Sequence, residues 1–182
     1  MNRPSRRAAL GALLALAAKG AAWAQPLEIA AAMPGARMGG SARFTVWGFD
    51  VYDAALWIAP GFTPNAYERH AFALELGYLR DFSSEAISSR SIEEMRRLPG
   101  GVQAPLQSWY ELLRKAFPDL RRGDRITGFH RPGEGAVFMV NGQTTGAIQD
   151  VEFARLFFGI WLSPHTSEPR LRLALLARVG GP

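Results

Sequence analysis

Arg43-Phe44-Thr45-Val46-Trp47-Gly48-Phe49-Asp50-Val51-Tyr52-Asp53-Ala54-Ala55-Leu56-Trp57-Ile58 is the stretch on which the fold turns. It is rich in β-branched and aromatic residues, holds no proline and is closed by Pro60-Gly61, so it is expected to form one long strand or a strand broken at Gly48. At a period of two, Thr45, Trp47, Phe49 and Val51 share one face and Phe44, Val46 and Gly48 the other. Both faces are apolar near the middle, so the strand needs a covering layer, and helical segments downstream can supply it. Gly48 is expected to mark a bulge or a close approach of a ligand to the backbone. Asp50 and Asp53, three apart, should face opposite sides unless a bulge intervenes.

Outward toward the N-terminus, residues 1–24 have the form of a secretory signal peptide. Arg3, Arg6 and Arg7 make a positive start, Ala8–Ala18 an apolar run, and Ala22-Trp23-Ala24 a cleavage signal after Ala24. The apolar run is too short to span a bilayer, and no stable membrane insertion is expected. Ordinary secretion is favoured over the twin-arginine route, because Ala8-Ala9 follow the arginine pair where a bulky apolar residue would strengthen that signal. Without cysteine the chain has no lipid acceptor, no disulfide and no thiolate chemistry. A periplasmic protein is the expectation.

Four basic residues fall in the leader, which leaves 17 basic against 16 acidic side chains in residues 25–182. No basic stripe remains, so nucleic acid is not expected as a partner. Residues 25–182 are of a size to form one domain with its own core.

The rest of the chain alternates strand and helix signals. Leu27-Glu28-Ile29 is a candidate edge strand and Ala71–Leu76 a second inner one. Ser83 or Ser84 caps a helix to about Arg97, with Ile87, Ile92 and Met95 on its apolar stripe. A second helix starts near Pro105, carries Leu106, Trp109, Leu112, Leu113 and Phe117, and ends at Pro118. Strands Arg125–His130, Ala136–Val140 and Gln143–Ile148 follow, the last two joined by the hairpin signal Asn141-Gly142. Asp150 caps a helix to Leu162 that is apolar around most of its circumference, and a final helix starts near Pro169 and runs to about Arg178. The expected class is α+β.

Catalytic templates are missing. There is no G-x-S-x-G, P-loop, dinucleotide fingerprint or H-E-x-x-H, and His70, His130 and His165 lack ligand spacing, so no metal and no cofactor are expected. Arg37 and Arg43 flank the start of the organising stretch and Tyr52 lies within it; an arginine fork with a phenol suits a carboxylate or phenolate ligand. The plainer alternative gives the arginines surface ion pairs and Tyr52 a place in the core.

Gly40-Ser41-Ala42-Arg43, Trp47-Gly48, Val51–Trp57, Gly123-Asp124, Asn141-Gly142, Asp150, Phe153-Ala154, Phe158–Leu162 and Pro169-Arg170-Leu171 occur in an order that resembles the bacterial chalcone isomerase-like family. The resemblance implies an open-faced β-sandwich, a large and mostly antiparallel sheet covered by helices, with a ligand cleft between the layers. Members of the family include plant isomerases that close a chalcone to a flavanone and plastid relatives that bind fatty acids. In the plant enzymes an arginine precedes the central strand, a threonine lies on it, and a tyrosine and an asparagine come from the first covering helix. Arg37 or Arg43 matches the arginine, Trp47 stands at the threonine's place and Arg90 about where the asparagine would be, while the helix from Phe82 has no tyrosine. The expectation is therefore a non-catalytic protein holding a fatty acid or similar hydrophobic carboxylate in the cleft. Arg43 (or Arg37) would take the carboxylate with Tyr52 assisting, and Trp47 and Arg90 would be nearby. The alternative is an intramolecular lyase with Arg90 or Tyr52 in place of the missing groups.

Overall fold

The computed structural model describes residues 24–180. The expected leader lies outside the described residues except for Ala24. Six strands form one antiparallel sheet in chain order: β1 (Arg37–Val46), β2 (Phe49–Ile58), β3 (Phe72–Tyr78), β4 (Arg125–Arg131), β5 (Gly135–Val140) and β6 (Gln143–Ile148). The organising stretch is thus two strands, and the break falls at Trp47-Gly48. Val46 pairs with Phe49, and the turn residues have φ of 48° and 81°, the left-handed pair that a two-residue hairpin needs. Asn141-Gly142 makes the same turn between β5 and β6 with φ of 50° and 79°. Asparagine takes that conformation readily, whereas a tryptophan there carries strain of about 1–2 kcal/mol.

Pairing of β1 with β2 runs Arg43↔Asp53 and Phe44↔Tyr52, then shifts to Thr45↔Asp50, which leaves Val51 as an extra residue. This bulge brings Asp50 to the same side as Asp53.

Helices α2 (Ser84–Arg97), α3 (Leu106–Ala116), α4 (Val151–Leu162) and α5 (Pro169–Leu175) cover one face. The Ser83 hydroxyl caps α2 by accepting from the Ala86 N–H at 3.1 Å. The Asp150 carboxylate caps α4 at the Phe153 N–H and also accepts from the Trp109 indole, each at 2.9 Å, so one side chain ties α3 to α4. Ala54, Leu56 and Ile58 of β2 and Phe72, Leu74 and Leu76 of β3 meet Phe153, Phe157, Phe158 and Trp161 of α4 in the main core.

The opposite face carries a smaller core in which Ala55, Trp57, Ala73 and Phe129 pack with Ile29. Ile29 belongs to a short helix, α1 (Leu27–Ala32), where an edge strand was expected. The alanines that follow Ile29 favour a helical turn, and the Glu28 carboxylate holds it to the sheet by accepting from Arg125 at 2.6 Å. Helix α5 also departs from expectation, stopping at Leu175 instead of about Arg178. There the chain turns back onto β1, with the Arg178 N–H donating to the Gly39 carbonyl at 2.8 Å.

Candidate functional site

A cavity of about 180 Å³ lies between the sheet and α2, α4 and α5. Its floor is Phe44, Tyr52, Leu76 and Tyr78, and its roof includes Ile87, Phe157 and Trp161. The period-two alternation of β2 and β3 aims Tyr52 and Tyr78 at this space, and the rings stack edge-on with centroids 5.9 Å apart. The Tyr52 hydroxyl accepts from the Trp161 indole N–H at 3.0 Å, which fixes it in the wall. The Tyr78 hydroxyl has no hydrogen-bond partner among the described residues. Burial pushes both phenols well above their usual range, so both remain protonated donors.

The rim on the α2 side is charged. Arg90 reaches Glu94 at 2.7 Å and Glu93 at 3.4 Å. Glu94 is buried, and besides Arg90 it accepts from Arg97 at 3.1 Å and from the Ser167 hydroxyl at 2.7 Å. Ser167 and Glu168 lead into α5 and complete this side of the cavity. An apolar chamber with two phenols inside and an arginine at the rim can take a ligand with one hydrophobic part and one acidic or carbonyl head.

Among the side chains expected at the site, Tyr52 and Arg90 line the cavity and the other three do not. Arg43 lies on the opposite face of the sheet, where the Val51 bulge aligns two carboxylates for it. It is bidentate to Asp53 at 2.7 and 2.9 Å and reaches Asp50 at 2.9 Å. These bonds raise its pKa further above the ordinary arginine value. Arg37 donates to the Arg178 carbonyl at 2.8 Å and so holds the segment that follows α5. Trp47 stands at the hairpin tip, 94% exposed, because the chain reverses there and carries the indole beyond the sheet. Arg43 thus makes the surface ion pairs of the plainer alternative, whereas Arg37 binds a backbone carbonyl.

Tyr78 and Glu94 were not singled out, although both are marked in the sequence. Tyr78 continues the Phe72, Leu74, Leu76 alternation, and Glu94 sits seven residues after Ile87 on the buried stripe of α2. Among the described residues no group of three or more potential metal ligands comes together, and no helix is long and apolar enough to cross a membrane.

A six-stranded antiparallel meander under a layer of helices, with a cavity between the two, is the architecture of the chalcone isomerase-like proteins. The chain belongs to that family: its model, chalcone isomerase-like, matches residues 37–177. An uncharacterized protein of Haemophilus influenzae is 29% identical over 140 residues, covering 76% of this chain and 67% of the relative. Among solved structures, the fatty-acid binding protein AtFAP1 of Arabidopsis thaliana superposes with a TM-score of 0.59 at 13% identity, covering 79% of this chain and 87% of the other.

Proposed function

We propose that this protein binds a small hydrophobic carboxylate in the cavity without transforming it, the acid head at Arg90 and the tail against Leu76, Ile87 and Phe157. The observation that carries this reading is the pairing of an apolar chamber with an arginine at its rim. The fatty-acid binding plant protein of like fold supports the ligand class. Size narrows it. An apolar cavity of about 150 Å³ admits one benzene, so 180 Å³ suits a single ring or a short to medium alkyl chain more than a long one. Glu93 and Glu94 already answer Arg90, so the ligand's carboxylate competes for it and modest affinity is expected. The leader read in residues 1–24 supports a periplasmic setting.

The experiment is a titration with fatty acids of rising length. Each added methylene should improve affinity about fourfold, ~0.8 kcal/mol, until the chamber is full and the gain stops. A flat series from the shortest acid onward would defeat the reading.

One observation favours the second reading, an intramolecular lyase. The unpaired Tyr78 phenol is placed to donate to a ketone oxygen inside the cavity. Chalcone turnover lost in Tyr78→Phe would establish it, and no turnover by the wild type would dismiss it.

A further inference from the structure

The β1–β2 hairpin ends in a side chain that its own turn disfavours. Trp47 holds the left-handed position that Asn141 fills in the other hairpin, and its indole lies in solvent. Val46 and Phe49 beside it are exposed too, and the Arg80 guanidinium lies 5.0 Å from the Phe49 ring centroid. The other tryptophans among the described residues, Trp57, Trp109 and Trp161, are buried, and each donates its N–H to a side chain.

We propose that the Trp47 hairpin tip inserts reversibly into the headgroup layer of a lipid bilayer. The size of the patch argues for lipid over a protein partner. Aromatic side chains bury about 150–250 Å² each, so Val46, Trp47 and Phe49 together fall short of the ~800 Å² that one partner gives to a standard protein interface. The patch is also convex, the tip of a two-residue turn. An indole, apolar in body and polar at its N–H, suits the depth of the headgroups. Arg43 and Arg80 stand against Asp50 and Asp53, so the tip offers apolar side chains and little net charge. Insertion should therefore occur on zwitterionic lipid and not require anionic lipid.

The place of the tip gives insertion a use. Phe44 and Val51 line the cavity three residues from the turn on either arm, about 10 Å at the rise of a strand. If the cavity takes a hydrophobic acid, as proposed above, the tip brings its wall close to the membrane where such acids partition. Insertion itself does not depend on that ligand.

The test uses residues 25–182, which hold every element of the described fold and in which Trp47 is the exposed tryptophan. With phosphatidylcholine vesicles at millimolar lipid, tryptophan emission should shift to the blue and acrylamide quenching should fall. Trp47→Asn, which suits the turn better, should lose both changes and no longer sediment with vesicles. Unchanged emission would overturn the proposal, as would vesicle binding that survives Trp47→Asn or appears on anionic vesicles with no shift in emission. A shift produced by periplasmic protein but not by lipid would assign the tip to a protein partner and overturn it as well. Titration of soluble decanoate into Trp47→Asn gives the cavity reading its own result, so the two can fail separately.

Discussion

Arg43 and Tyr52 are near neighbours in the pairing of β1 with β2 and stand on opposite faces of the sheet: Tyr52 opens into the cavity, Arg43 grips Asp53 and Asp50 outside it. Arg43→Ala should therefore leave the affinity for a hydrophobic acid unchanged. Its effect should be a small loss of thermal stability that salt reduces, since the pairs are exposed. Parallel ligand titration and thermal melts at low and high salt check both halves.

Glu94 sets how available Arg90 is. Glu94→Gln keeps the shape and a partner for Ser167 but removes the charge that holds Arg90 at 2.7 Å. Binding of a carboxylate should tighten by roughly tenfold, ~1.4 kcal/mol, while an uncharged analogue of the same length should bind as before. A calorimetric comparison of acid and alcohol measures the difference.

Gly40 is where α5 closes on β1. A Cβ there would fall on the carbonyl oxygen of Ala174 and press on Leu175, backbone that has no room to give. Gly40→Ala should cost about 3 kcal/mol or more and displace α5, whose Leu171 lines the cavity. Denaturant unfolding would show the loss, and weakened ligand binding would accompany it.

His130 should make stability fall in mild acid. Its ring stacks on Phe72 with centroids 4.7 Å apart, and Nδ1 donates to the His70 carbonyl at 2.7 Å. Burial lowers its pKa from the ordinary value of 6.5. The unfolded chain thus takes up a proton that the folded one refuses, so its stabilising share is present above about pH 6.5 and is lost as pH falls toward the lower folded value. Glu75 acts in the opposite sense. Burial raises its pKa, so its share is present below the unfolded carboxylate value and is lost as pH rises through the folded one. Any decline of the unfolding midpoint between pH 7.5 and about 5.5 should be shallower in His130→Gln than in the wild type.

Most of the fold was legible because its signals are local. Ser83 and Asp150 cap the helices expected of them, Asn141-Gly142 makes its hairpin, and the ordered motifs carried the family. Trp47-Gly48 was harder, because tryptophan is a strand former and only the glycine signalled the turn. That reversal decided the site. Once the chain folds back there, Arg43 is placed by its cross-strand partner Asp53 and by the Val51 bulge, neither of which a period-two count can foresee. Tyr52 and Arg90 do line the cavity, Tyr52 named from its place in the aromatic stretch and Arg90 only from the resemblance, at about the position of the family's asparagine. The role of Glu94 depends on Ser167, which is 73 residues away and meets it only through the packing of the helical layer.

The measurement that bears most directly on the cavity reading is calorimetric titration of decanoate into the wild type, Arg90→Ala and Arg43→Ala. The account predicts saturable binding at one site in the wild type, the same in Arg43→Ala, and affinity roughly tenfold weaker in Arg90→Ala. No binding to the wild type, or binding lost in Arg43→Ala and kept in Arg90→Ala, would contradict it.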